Sequence, residues 1–308
     1  MAALIKMHGF AIIQPEPRPE PFLIPFDDIQ RSCKLKSYFH TCLVELLGTD
    51  RAAAVLSNYH VGLSNSKWPG ATVFFSVDIN GQPRRGKVMV FDPNTSKRVK
   101  DSGGKALISS IHAILGKRNE KPDACFFGEH LLKKYPDKPV AVVESEKTAV
   151  IASAYLPEFI WLSCDGSGGI SRPKFDVLKD RRVILFPDMG CADKWQQKAD
   201  VLGMPNVTVS RYLEDNNAPD GSDIADFLTT QPLLEDYPAS WDQLPEHTEE
   251  YLKFRFINWA ESFEHYHAIG KIDKCQSILD EIAAAGFDAI PDEIMIKHAP
   301  ITFKNIQE

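Results

Sequence analysis

Paired cysteines are missing from this chain: the six stand at Cys33, Cys42, Cys125, Cys164, Cys191 and Cys275, with no CxxC and no regular spacing. That argues against a zinc ribbon and a disulfide framework, so no zinc is expected and the thiols read as reduced and mostly buried. Long hydrophobic runs are missing too. No stretch approaches the ~20 apolar residues of a membrane helix, and the opening residues lack the apolar centre of a signal peptide, so a cytoplasmic protein without a membrane partner is expected. There is no surplus of positive charge either. The net charge is −7, which argues against a nucleic-acid partner unless the cations are gathered in one place. Internal repeats are absent. The 308 residues, 44% hydrophobic and 25% charged, suffice for about two ordinary globular domains.

Prolines alternate from Pro15 to Pro21 and deny both helix and ladder, so residues 1–25 read as an extended arm. From Phe26 to about Leu63 the pattern is helical, with apolar positions at Leu35, Phe39, Leu43 and Leu46 before Gly48, and a second helix over 50–56. The period then changes. Thr72 to Ile79, Asn80-Gly81, and a strand through Lys87 to Phe91 form the strongest hairpin signal, since Asn-Gly supplies positive φ at a tight turn; Asp92 to Ser96 is a further turn. Around this hairpin Arg84, Arg85, Lys87, Lys97, Arg98, Lys100, Lys105, Lys117 and Arg118 face only Asp92 and Asp101. Such a face is either a phosphate-backbone track or a hairpin edge kept from aggregating by its charges. A short helix over 106–115 and an apolar helix-like run over 125–132 follow, in which His130 reads as a satisfied structural histidine. Pro136 to Pro139 marks a boundary.

Beyond it strand and helix alternate, the order of a parallel sheet. Strands are expected at 140–143, 159–162, 182–186 and 207–209, with helices at 147–155 and 192–202. Ligands of such sheets sit beyond the carboxyl ends of the strands. There the chain places Glu144, then the loop Ser163 to Gly169, whose Gly166, Gly168 and Gly169 let backbone approach a phosphate closely, then Asp188. Asp223 and Asp226 open a short closing helix. These acids form one patch for a hard cation such as Mg2+, or they are a helix cap and exposed loop acids. The tail carries helix-like, aromatic-rich 248–260 and an amphipathic 271–285, read as packing elements, and the pair His265 and His267, read as surface or packing residues.

Val142-Val143-Glu144, the glycine loop after the second strand, Phe186-Pro187-Asp188 after the third and Asp223-Ile224-Ala225-Asp226 together resemble the toprim domain. That domain is shared by bacterial primases, type IA and type II topoisomerases and the overcoming-lysogenization-defect and recombination-repair nucleases. Glu144-Ser145-Glu146-Lys147-Thr148-Ala149 and the ending Asp223 to Leu228 are similar to primase-like proteins of phages and mobile elements, notably a group from Bacteroides-type bacteria. The resemblance covers about residues 139–229.

It implies an α/β protein: a Rossmann-like toprim domain over 138–230, its parallel sheet flanked by helices, preceded by a smaller α+β primase-like domain over 26–137 and followed by a helical region over 231–308. It implies phosphodiester chemistry with Mg2+ or Mn2+, with Glu144 as general acid/base or metal-site residue and Asp188 as the first acid of the family's Asp-x-Asp. The chain departs at the second acid, where Gly190 stands; Asp193, Asp223 or Asp226 would have to supply that ligand. The basic hairpin would hold template through Arg84, Arg85, Lys87, Lys97, Arg98 and Lys100, with Lys147 beside the phosphate. Single-stranded DNA or RNA, nucleotides and a helicase are the implied partners. The amino-terminal zinc module usual in primases is not found. Three functions stay open: a primase-like nucleotidyltransferase in replication or mobile-element maintenance, a nucleic-acid-binding module with a degenerate site, and a metal-dependent nuclease. No tyrosine-bearing topoisomerase domain is identified.

Overall fold

Residues 20–34, 36–230, 272, 275 and 276 are described in a computed structural model. The proline-rich stretch before residue 20 and the elements expected at 248–260 and 271–285 lie outside the described residues, apart from those three positions. Residues 20–25 take no regular structure and lie along the body, where Phe22 N–H donates to the Glu120 carbonyl and Ile24 N–H to that of Pro83.

Three helices come first, α1 (Phe26–Cys33), α2 (Tyr38–Leu47) and α3 (Thr49–Asn58). The end at Gly48 and the helix after it form as expected, but the helical pattern expected from Phe26 to about residue 63 fails in two other places. Ser37 caps α2 by accepting from His40 N–H, and Val61–Ser64 is strand β1, not helix. A four-residue apolar segment carries no period of its own, and here pairing decides: β1 lies antiparallel to β2 (Ala71–Val77). Gly62 packs on α1 so closely that a Cβ would stand 2.3 Å from Ser32 Oγ.

The hairpin of β2 and β3 (Pro83–Met89) forms as expected, but its connection is longer than a two-residue Asn-Gly turn. Asp78 N–H bonds the Gln82 carbonyl and Gly81 N–H the Asp78 carbonyl, and of Asn80 and Gly81 only Gly81 has positive φ, +81°. Asp78 Oδ1 also accepts from Asn80 and Gln82 N–H. Val73, Phe75 and Val77 enter one apolar cluster with Ile24, Ile29 and Val88, while Phe74 points the other way into the main core. Apolar layers on both faces explain why β2 reads as an unbroken hydrophobic run.

The helix expected over 106–115 is instead strand β4 (Ile108–Ser110) and a single turn, α4 (Ile111–Ile114), because Ile108 pairs with Met89. The run 125–132 is likewise not one helix: Phe127 forms a bridge, 128–130 make a turn with Gly128 at positive φ, and only then does the short α5 (Leu131–Lys134) begin. Phe127 and Ser163 exchange N–H···O bonds of 3.1 Å, which seals the edge of the second sheet. The His130 ring is hydrogen-bonded at Nε2 to the Asn58 carbonyl and stacks on His60, but its buried Nδ1 has no hydrogen-bond partner among the described residues, so the ring is only half satisfied.

That second sheet is wholly parallel: β5 (Val140–Val143), β6 (Ile160–Ser163), β7 (Val183–Leu185) and β8 (Val207–Val209), in the order β6-β5-β7-β8. Helices α6 (Glu146–Tyr155), α7 (Arg172–Phe175), α8 (Ala192–Leu202), α9 (Tyr212–Asp215) and α10 (Ile224–Leu228) connect and follow the strands. All four residues of β5 are buried, as in a sheet covered on both faces. From β5 the chain steps outward to β6 and then returns past β5 to β7, so the strand order reverses between β5 and β7. A crevice opens at the carboxyl ends of strands at such a reversal. One apolar core, including Phe74, Phe91, Phe127, Trp161 and Trp195, joins this sheet to the antiparallel one.

Candidate functional site

Glu144 follows β5 and Asp188 comes three residues after β7, on the two strands that flank the reversal. Both backbones are held. The Glu144 carbonyl accepts from Gly166 N–H (3.1 Å) and Ser163 Oγ (3.0 Å), and Phe186 N–H continues the β5 pairing through the Val142 carbonyl (2.8 Å). Ser145 caps α6 by accepting from Thr148 N–H, which forces the chain to turn immediately after Glu144. Asp223 caps α10 in a capping box with Asp226. Its Oδ2 accepts from Thr148 Oγ1 at 2.6 Å, fastening the α10 cap to the start of α6.

These acids line one cleft of about 450 Å³. Glu144, Asp188, Asp223 and Asp226 contribute carboxylates; Lys97, Arg98 and Lys100, from the segment after β3, contribute cations, with Lys147 at the start of α6. Burial pushes the Asp188 carboxyl up to about 7; the charges of Glu144, Asp223 and Asp226 add to the rise and Arg98 opposes it. An aspartate whose proton affinity is raised by burial and by three neighbouring carboxylates belongs to an acidic set short of a counter-cation.

A second group sits in the same cleft. Lys87 Nζ reaches across from β3 to Glu146 (3.0 Å) and Asp165 (2.7 Å), tying the hairpin both to α6 and to the glycine loop. Glu146 is buried, and despite the lysine its carboxyl is held above the ordinary range, burial being the larger influence; the Asp165 carboxyl is held below it by Lys87. Neither acid is singled out by the sequence reading. A signal for Asp165 exists all the same: it comes two residues after β6, at the same carboxyl-end edge of the sheet where Glu144 follows β5.

Not every candidate residue meets the others. Glu144, Asp188, Asp223, Asp226, Lys87, Lys97, Arg98, Lys100, Lys147 and Gly166 share the cleft. Arg84 is paired with Asp78 at 2.7 Å and Arg85 donates to the Pro122 carbonyl; neither lines it. Asp193 is paired with Arg211 at 2.6 Å and is likewise not among the lining residues. Gly168 and Gly169 are also outside the lining, and Gly169 answers a packing demand, since a Cβ there would lie 1.7 Å from the Cys164 carbonyl oxygen. Among the described residues no three His, Cys, Asp or Glu side chains are drawn together tightly enough to hold an ion, and no helix is long and apolar enough to cross a membrane.

Residues 37–189, from the cap of α2 to the residue after Asp188, match the model of a domain of unknown function, DUF6371. No curated protein matches the sequence. Among solved structures the chain is similar to the primase fragment of the bacteriophage T7 primase-helicase protein, with 18% identity, 56% of this chain and 64% of that chain covered, and a TM-score of 0.39. It is also similar to the RNA polymerase domain of the Mycobacterium tuberculosis primase DnaG (11% identity, 66% and 76% covered, TM-score 0.41). A third is the DnaG primase catalytic domain bound to single-stranded DNA (11% identity, 67% and 75% covered, TM-score 0.44).

Proposed function

We propose that this chain is a primase-like toprim protein, acting in the cytoplasm on single-stranded DNA or RNA with nucleotides as co-substrates and a helicase as partner, in replication or the maintenance of a mobile element. In this reading residues 138–230 are the catalytic domain and 26–137 carry the template-facing wall. One observation supports it above the rest: a single cleft sets Glu144 and Asp188, on either side of the strand-order reversal, opposite Lys97, Arg98 and Lys100. Carboxylates facing cations suit a phosphate chain with its metal ion. Neither wall alone does.

Mg2+ or Mn2+ fits the donors. They are all oxygen, and the raised Asp188 carboxyl marks negative charge that the protein itself leaves uncompensated. Glu144 and Asp188 would hold the ion, which when bound supplies positive charge against a phosphate oxygen. Asp223 is committed elsewhere, since its Oδ1 accepts from Ala225 and Asp226 N–H and its Oδ2 from Thr148. The cationic wall binds phosphate by charge and releases counterions. Lys87, already shared by two carboxylates, orders the cleft rather than adding a free cation.

Template-dependent primer synthesis is the test. Wild type should extend nucleotides on single-stranded templates with Mg2+ or Mn2+, and E144Q and D188N should each abolish it. The lack of a tight three-ligand group among the described residues favours one second reading, a nucleic-acid-binding module with a degenerate site. Its mark is salt-sensitive binding that survives both substitutions, without synthesis. Metal-dependent nicking lost in both variants would instead indicate a nuclease.

A further inference from the structure

Four backbone N–H groups follow Asp188 in the turn after β7, and each has an identified acceptor. Met189 donates to the Ser222 carbonyl and Cys191 to the Asp188 carbonyl, both at 2.9 Å. Gly190 and Ala192 both donate to a single atom, Glu214 Oε1, at 3.2 Å. Half of the turn's donors therefore depend on one side chain that arrives on α9, far along the chain.

The turn has little to hold it locally. Cys191, at the N-cap of α8, makes no side-chain cap. Gly190 has φ +79°, carries no side chain, and has nothing within 4 Å of where one would begin. The other Glu214 oxygen, Oε2, is buried and accepts no hydrogen bond among the described residues, a costly state for a carboxylate kept only to cap a helix. The segment bearing Glu214 is itself anchored beside the cleft: Tyr212 packs edge-on against Phe227 of α10, centroids 5.0 Å apart, and α10 is the helix that Asp223 caps.

We propose that Glu214 is a positioning residue of this site, holding the 188–192 turn so that the Asp188 carboxylate points into the cleft. Glu214 does not line the cleft and touches no substrate there; it acts through the backbone. The inference rests on reading Asp188 as a cation-holding residue.

The experiment compares full-length wild type, E214A, E214Q and D188N by amide hydrogen exchange over 189–192 and by Mn2+ titration. E214A should speed exchange at 190 and 192 and weaken Mn2+ binding by about ten-fold, the lower end of what residues that orient metal ligands cost. E214Q keeps an acceptor oxygen and should restore both. Mn2+ affinity unchanged in E214A, or E214Q as weak as E214A, overturns the inference. If wild type and D188N bind Mn2+ equally, the cation reading falls; unchanged exchange at 190 and 192 in E214A sinks the positioning role independently. Should E214A not fold, E214D replaces it, since it keeps the charge but withdraws the oxygen by one methylene. Rescue by Gln and not by Asp supports the role, and the reverse order refutes it.

Discussion

Replacing Asp188 by Asn should make the protein more stable above pH 7 while removing the proposed Mg2+ binding. The folded chain holds the Asp188 proton up to about 7, whereas the unfolded chain releases it near the ordinary 3.8. Between those values the unfolded state carries fewer protons, so stability falls as pH rises through the window and levels off above it. A displacement from 3.8 to about 7 would amount to about 4 kcal/mol if fully expressed. Asp188 is only partly buried, and solvent screening reduces this to roughly 1–2 kcal/mol. Asparagine keeps the shape and drops the charge. Urea unfolding of wild type and D188N from pH 4.5 to 8.5 in chelator should show a gap in favour of D188N that opens as pH rises and is flat beyond about 7.5. Added Mg2+ should close the gap by stabilising wild type alone. A gap that does not change with pH, or a D188N protein less stable than wild type at pH 8, would refute the picture of an uncompensated acidic set.

Removing the cationic wall with K97A, R98A and K100A together should lower the salt slope of single-strand binding by about 2, at ~0.7 per lost phosphate contact, as read by fluorescence anisotropy across a salt series. The paired Arg84 should contribute little, so R84A should leave that slope nearly unchanged while weakening the hairpin turn through Asp78. K87M leaves buried Glu146 without its cation and should cost about 3–5 kcal/mol in chemical denaturation. Its defect should be smaller at pH 5 than at pH 8, because Glu146 can then take up a proton, and K87M with E146Q should recover most of it.

Local pattern alone determined the parallel half of the molecule. Short β-branched runs ending at Glu144 and Asp188, with helical segments between them, have few alternative arrangements, and the carboxyl ends of such strands converge whatever the loops do. The capping role of Asp223 was also legible, because a cap is made within four residues. Where pairing partners lie far apart in the chain, periodicity failed: β1 and β4 are strands because β2 and β3 offer them edges, not because their own residues insist. The same limit governed the basic cluster. Charge count cannot tell a free cation from one committed to a carboxylate. The hairpin turn brings Asp78 to Arg84, and only the tertiary structure brings Glu146 and Asp165 to Lys87 while leaving Lys97, Arg98 and Lys100 along the cleft. Asp193, adjacent in sequence to the turn that bears Asp188, is paired with Arg211 because α8 begins between them, and one turn of helix is enough to change what a side chain can reach.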